Sequence, residues 1–270
     1  MRVDSRKKGA TNRAKNETKR PLLSHRQGKL IVVGIGPGSL DLLTFRAEKA
    51  IRESQLIVGY KTYIELLGNL SRGKELISTG MTQEVERARL AIAKAKEGKK
   101  VCLISSGDAG VYGMAGLVLE LLKEDERIEV EIIPGVMSAL SSAAILGSPL
   151  MHDFAVISLS DLLTDLALIE QRIEAAAKAD FVIALYNPKG KKRIKPLQRA
   201  WQILMRCRLP KTPVGIVRNC ERTGQEVKIT TLGAVSSFKK IDMVTTIIVG
   251  NSQTFVKGKH MITPRGYFKK

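Results

Sequence analysis

The sequence predicts an α/β protein of two domains, a parallel-sheet domain followed by a mixed-sheet one. Strand-like Ile/Val runs alternate with helical segments along the first half, the order that builds parallel sheets. The alternation breaks at the proline of "SPLMHDF" and resumes with strands that follow one another more closely. The core must be mostly aliphatic and alanine-based, because 44% of residues are hydrophobic but only 4% aromatic. The 270 residues accommodate a basic tail over 1–27, a first domain over 28–148 and a second over 149–268.

Each element has its own signal. "KLIVVGIG" is a buried strand by its apolar run, "LDLLTFRAEKAIRESQ" has helical spacing, and "LIVGY" is the second strand. "TQEVERARLAIAKAKEG" is an amphipathic helix closed by Gly98. "KVCLISSGD" and "IEVEIIPG" are the third and fourth strands, followed by helices in "GMAGLVLELLKED" and "VMSALSSAAILG". In the second half, strands in "AVISLSD" and "DFVIALYNP" flank a helix in "ALIEQRIEAAAKA". The helix "LQRAWQILMRC" then precedes strands in "PVGIVRN", "QEVKITTLG" and "MVTTIIVGN". No uninterrupted apolar run reaches the ~20 residues of a membrane span.

The turn "GIGPGS" after the first strand poses the functional question. A dinucleotide fingerprint needs GxGxxG, but Ser39 stands where the third glycine belongs, and Pro37 has no N–H for a pyrophosphate. The next strand ends in Gly59, Tyr60 and Lys61, without the acid that holds a ribose, and no GK[ST] follows the turn. The turn is therefore a tight corner that admits a ligand other than NAD or ATP. Two more small-residue turns, "SSGDAGVYG" and "IPGVMSA", end the third and fourth strands. Three such turns at the carboxyl edge of one sheet outline a ligand crevice. Asp108 suits an amino group or a ribose hydroxyl, and the helix after "PG" can offer amides to a carboxylate. S-adenosylmethionine carries all three groups.

The net charge is +19, of which residues 1–27 supply +7 with no hydrophobic period. That segment lacks the apolar core of a secretory signal and reads as a solvated extension more than as a nucleic-acid arm. The rest of the charge suits an anionic partner, either nucleic acid or a polycarboxylate. Cys102, Cys207 and Cys220 show no CxxC spacing, which argues against a metal site and for a reducing cytoplasm.

Together "GIGPGSLDLLT", "SSGDAGVYGMAGLVLE", "PLMHDFAVISLSDLLT", "ADFVIALYNP", "TTLG" and "MITPRGY" resemble the tetrapyrrole (corrin/porphyrin) methylase family, over roughly residues 29–268. "GPG" is shared across the superfamily, whereas "SSGDAGVYGMAG" with "HDFAVISLSDLLT" points to its corrin branch. The resemblance implies a two-domain tetrapyrrole-methylase-like fold, a cofactor cleft between the domains and a homodimer. It also implies C17 methylation of a (cobalt-)precorrin-3 macrocycle from S-adenosylmethionine, coupled to ring contraction, in cobalamin biosynthesis.

Carried over motif by motif, the cofactor positions are Pro37, Ser106, Gly107, Asp108, Val111, Tyr112, Met137, Ser138, Tyr186, Asn187, Asn219, Cys220 and Thr246. The family pattern favours Thr at Met137 and Pro-Trp at Asp165 and Leu166, two departures here. Methyl transfer from a sulfonium needs positioning more than acid–base groups. Ring contraction does move protons, which makes His152 and Asp108 the catalytic candidates, with Glu84 behind them. Lys61, Arg87, Arg218 and Arg265 are candidates for the macrocycle's carboxylates. The rival readings are a ribosomal-RNA ribose methyltransferase of the same superfamily and a non-catalytic RNA-binding module. The second lacks aromatic residues interleaved with basic ones for base stacking. No specific nucleic acid and no membrane is expected as a partner.

Deleting residues 1–27 is expected to leave the melting temperature unchanged. A fall in the thermal midpoint would show that the tail docks on the body.

Overall fold

The computed structural model describes residues 28–124, 128–190, 193–238 and 240–267, so the predicted tail over 1–27 lies outside them. Strand β1 (Lys29–Gly34) lies inside a five-stranded parallel sheet, between β4 (Lys100–Ser105) and β5 (Glu129–Ile133). Strand β2 (Leu56–Tyr60) pairs with β4 and with β3 (Glu75–Thr79), which gives the order β3-β2-β4-β1-β5. β3 is the strand the sequence reading missed. "ELIST" sits at the sheet edge, half-exposed, and has no long apolar run.

The unbroken apolar run of β1 is explained by helices on both faces of this sheet. Ile31 and Val33 face α1 (Phe45–Glu53) and α2 (Lys61–Leu66). Leu30 and Val32 face α3 (Glu84–Lys96) and α4 (Ala115–Leu121). The Ala88–Ala91–Ala95 stripe lets α3 lie close to the sheet, and Gly98 at φ 83° ends it as the sequence predicts. Thr44 caps α1 by accepting from the Ala47 amide at 3.1 Å.

The second sheet is mixed, in the order β10-β9-β11-β8-β7. Its strands are β7 (Phe154–Ser158), β8 (Val182–Tyr186), β9 (Pro213–Arg218), β10 (Glu226–Thr231) and β11 (Thr245–Val249). β7 and β8 are parallel, and β11, β9 and β10 add antiparallel. One face packs on α6 (Leu166–Lys178) and α7 (Lys195–Cys207).

The other face packs on α5 (Ser138–Leu146), which the sequence places with the first domain. Ala139, Ala143 and Leu146 bury against Val182, Ala184, Val217 and Ile248. Strand β6 (Gly147–Ser148) then pairs with β13 (His260–Ile262), itself paired with β12 (Phe255–Lys257). The chain thus changes sheets at the turn around Gly135, before α5. No helix among the described residues is long and apolar enough to cross a membrane.

Three glycine turns meet backbone to backbone at the carboxyl edge of the first sheet. The Gly36 amide donates to the Gly107 carbonyl at 3.1 Å, and the Gly107 amide donates back at 2.7 Å. A Cβ on Gly34 would sit 2.7 Å from both the Gly107 carbonyl oxygen and the Gly135 amide nitrogen. A Cβ on Gly135 would strike the Gly107 and Gly34 carbonyls. Asp108 fastens the junction. Its Oδ1 accepts from the amides of Gly110 (2.8 Å) and Val111 (3.1 Å), and its Oδ2 from that of Gly135 (2.9 Å).

Substituting Gly135→Ala is therefore expected to cost about 2–3 kcal/mol in a urea titration, because backbone must move to make room. Gly116→Ala, where nothing lies within 4 Å of the added carbon, is expected to be neutral or to stabilise by up to ~1 kcal/mol. Asp108→Ala is expected to destabilise by about 2 kcal/mol through the amides it leaves unpaired.

Candidate functional site

The glycine junction forms one wall of a crevice between the domains. Pro37, Ser106, Val111 and Tyr112 line it from the first domain. Tyr186, Asn187, Cys220 and Thr246 line it from the strand ends of the second, with Ser138 from the first turn of α5. All of these were singled out by the sequence. Tyr112, Asn187 and Asn219 adopt left-handed backbone, at φ 52°, 52° and 49°. Such backbone is costly away from glycine, and it gathers here around one cleft.

Two tyrosines brace the walls of the crevice, Tyr112 across the domains and Tyr186 within the second. The Tyr112 hydroxyl donates to the Val156 carbonyl on β7 (3.1 Å) and accepts from the Ser158 amide (3.2 Å). The Tyr186 hydroxyl accepts from the Ala139 amide at 2.6 Å, in the first turn of α5. Met137 gives α5 no side-chain cap, so the phenol serves that amide instead. That takes the Ala139 amide out of the set that α5 can offer a carboxylate. Burial pushes the Tyr186 phenol up to about 12, so it stays protonated at neutral pH. The two rings lie 5.9 Å apart, centroid to centroid.

Other predicted residues have different places. Asp108 is absent from the crevice lining, its oxygens being taken by backbone amides. Gly107 belongs to the glycine junction, and Met137 packs beneath α5. The Asn219 amide accepts nothing from the crevice. Its Nδ2 donates to the Gly224 carbonyl at 3.4 Å.

Arg87 is 4% exposed and spends its nitrogens on Thr79 Oγ1, the Gly80 carbonyl and Met114 Sδ, so it is no free surface cation. Arg218 is engaged by Asp242 at 2.8 Å and Glu226 at 3.4 Å. Glu84 is an exposed acid in the first turn of α3, where the helix dipole favours it. Lys61 is exposed beyond β2, two residues from the crevice-lining Tyr63.

His152 and Arg265 are not at the cleft. They line a separate hollow with Asp153, Asp180 and Tyr267. That hollow lies where β7 and β8 begin, whereas the crevice lies where they end, roughly 15 Å of strand away. His152 is near the domain junction in sequence only.

The sequence reading missed Tyr63, Met243, Thr245 and, above all, Arg222. Arg222 reaches from the second domain into the first. Its Nε donates to the Pro37 carbonyl at 2.6 Å and its Nη2 to Ser106 Oγ at 2.8 Å. A Cβ on Gly38 would collide with its side chain, so the last glycine of "GIGPG" makes room for this arginine. The signal was available there, in a glycine that no nucleotide motif requires.

Beside the crevice, and sharing Met243 and Val244 with it, runs a groove of about 1040 Å³. Met81 from the first domain and Leu162, Ile194 and Ile241 from the second give it apolar walls. Lys189, Arg193 and Lys195 stand along it. Among the described residues no group of His, Cys, Asp and Glu is placed to hold a metal ion.

Comparison with known proteins gives this cleft a family. Residues 29–236 match the family model of the Tetrapyrrole (Corrin/Porphyrin) Methylases. The chain is 49% identical, over 88% of its own length and 99% of the relative's, to a probable cobalt-factor III C(17)-methyltransferase of Salmonella typhimurium. It is 52% identical to the cobalt-factor III methyltransferase of Priestia megaterium, covering 90% of this chain but only 46% of that protein, about half its length. The crystal structure of the methyltransferase CobJ superposes with a TM-score of 0.83 at 35% identity, over 88% of this chain and 100% of that one. With the GPG turn, the SGD loop and the two-sheet cleft in place, the chain belongs to the tetrapyrrole (corrin/porphyrin) methylase family.

Proposed function

We propose that this chain transfers the methyl group of S-adenosylmethionine to C17 of a cobalt-precorrin-3 or cobalt-factor III macrocycle, with ring contraction, in cobalamin biosynthesis. One observation carries the reading: a full-length relative at 49% identity bears the C(17)-methyltransferase name. A homodimer and a cytoplasmic location are further parts of the proposal, resting on the family resemblance.

The crevice fits S-adenosylmethionine. Glycine backbone allows close approach, the Tyr112 and Tyr186 rings offer faces, and Ser106, Asn187, Thr245 and Thr246 offer polar atoms. When bound, that molecule supplies an electrophilic methyl group on a sulfonium. The groove suits a large flat anion: apolar side chains for the ring, and Lys189 and Lys195 for its carboxylates. Its volume stands at the top of the roughly 300–1,000 Å³ range of ligand clefts. Met243 and Val244, common to both cavities, lie where the two ligands meet.

The protein's own part is positioning. No histidine and no carboxylate lines the crevice among the described residues. Burial holds the Tyr63, Tyr186 and Cys220 protons in place. Orientation and exclusion of water are what such a lining supplies.

Incubation with S-adenosylmethionine and cobalt-factor III is expected to yield a product one methyl group heavier, read by mass spectrometry. Unmodified corrinoid together with methylated ribosomal RNA would hand the case to the rival methyltransferase. The double variant K189A/K195A is expected to raise the KM for the macrocycle by about three- to tenfold while cofactor affinity holds. His152→Ala is expected to keep kcat within about twofold of the parent, since it lies at the far end of the strands. Binding to the anionic macrocycle should weaken moderately with salt, and a steep log–log slope would instead signal many phosphate contacts.

A further inference from the structure

Arg222 presents a charge that the protein itself leaves uncompensated. It lines the crevice, yet both of its bonded partners, the Pro37 carbonyl and the Ser106 hydroxyl, are neutral. The ionisable groups that influence it are Tyr63 and Cys220, whose protons burial retains. Burial lowers its own proton affinity, the sign of a guanidinium partly stripped of water.

Four other arginines of this domain have acids beside them. Arg218 has Asp242 and Glu226, Arg208 has Asp180, Arg199 has Glu170, and Arg193 has Asp161. Arg87 also lacks an acid, but all three of its nitrogens are spent. Arg222 keeps Nη1 without a hydrogen-bond partner among the described residues. A desolvated cation with a free donor in a ligand crevice is stable at a cost, and an anion there removes that cost.

We infer that Arg222 binds a ligand carboxylate in the crevice through Nη1, while Nε and Nη2 hold the Pro37 and Ser106 turns in place. Arginine's planar fork suits this double task, since one edge can grip the protein and the other the ligand. The inference rests on the proposed function, which brings two sources of carboxylate to the cleft. One is the amino-acid end of S-adenosylmethionine, and the other is an acid side chain of the macrocycle.

The test uses the full chain as parent, R222K and R222Q. Calorimetry measures S-adenosylhomocysteine and 5′-methylthioadenosine, which lacks the carboxylate and the amino group. Steady-state assays measure the KM for the corrinoid. If the cofactor supplies the carboxylate, R222Q weakens S-adenosylhomocysteine about tenfold or more and leaves methylthioadenosine within about threefold. If the macrocycle supplies it, both nucleosides hold and the corrinoid KM rises by about tenfold or more. In either case R222K recovers part of the loss, because it keeps the charge and not the fork.

Parallel weakening of both nucleosides with no further rise in corrinoid KM would overturn the inference and leave Arg222 as a loop support only. So would an R222Q protein equal to the parent in all three measurements. A parent that bound neither S-adenosylhomocysteine nor corrinoid would overturn the proposed function, and this inference with it.

Discussion

The cleft depends on three strands of the first sheet ending in glycine at one point. Gly34, Gly107 and Gly135 stand so close that their neighbours across the junction are backbone atoms, not side chains. Carbonyls and amides brought this near must be paired, and they are paired with each other and with Asp108. The carboxylate does for these loops what a helix cap does for a helix end. Its oxygens are engaged in holding backbone, and the loops rather than the acid face the crevice. The only acid of the turn sequences thus acts on geometry first and on chemistry through it.

The second domain is docked to this junction by side chains that cross in both directions. Arg222 comes from the β9–β10 turn to the Pro37 and Ser106 loops. Tyr112 comes from the first domain to the edge of β7. The crossing groups are also crevice walls, so the distance between the domains and the width of the crevice are set by the same bonds. The left-handed backbone at Tyr112, Asn187 and Asn219 fits this arrangement. At Asn187 and Asn219 it turns the chain sharply just past the ends of β8 and β9.

The fold was legible wherever local pattern and burial agree. β1, β2 and β4 are buried on both faces, so their Ile/Val runs announced them. β3 lies at an edge, where "ELIST" looks like any half-exposed segment. α5 was legible as a buried helix, but periodicity says which face is apolar and nothing of which sheet receives it. The glycine loops were legible because close backbone approach demands glycine. Arg222 was not, since "CERTG" reads as a charged surface turn and its partners stand 185 and 116 positions away. His152 misled for the converse reason: neighbourhood in sequence at the junction is not neighbourhood at the cleft, because a strand lies between.

Four ionisable groups of the crevice share one bias. Burial raises the proton affinity of Tyr63, Tyr186 and Cys220 and lowers that of Arg222, so in every case the neutral form is favoured. An environment of that kind, with the Arg222 guanidinium in its wall, penalises a further positive charge placed in it. On the proposed reading the group to be placed there is a sulfonium, and moving its methyl to a carbon in the adjoining groove leaves a neutral thioether behind. The crevice thus disfavours the charged state before transfer relative to the state after it. This needs no proton donor at the cofactor and agrees with a lining that contains none poised to give one. Lys189 and Lys195 stand along the groove, where a carboxylate-bearing ring can pair with them. The crevice, with Arg222 in its wall, and the groove, with Lys189 and Lys195 along it, thus divide the work between the electrophile and its anionic acceptor.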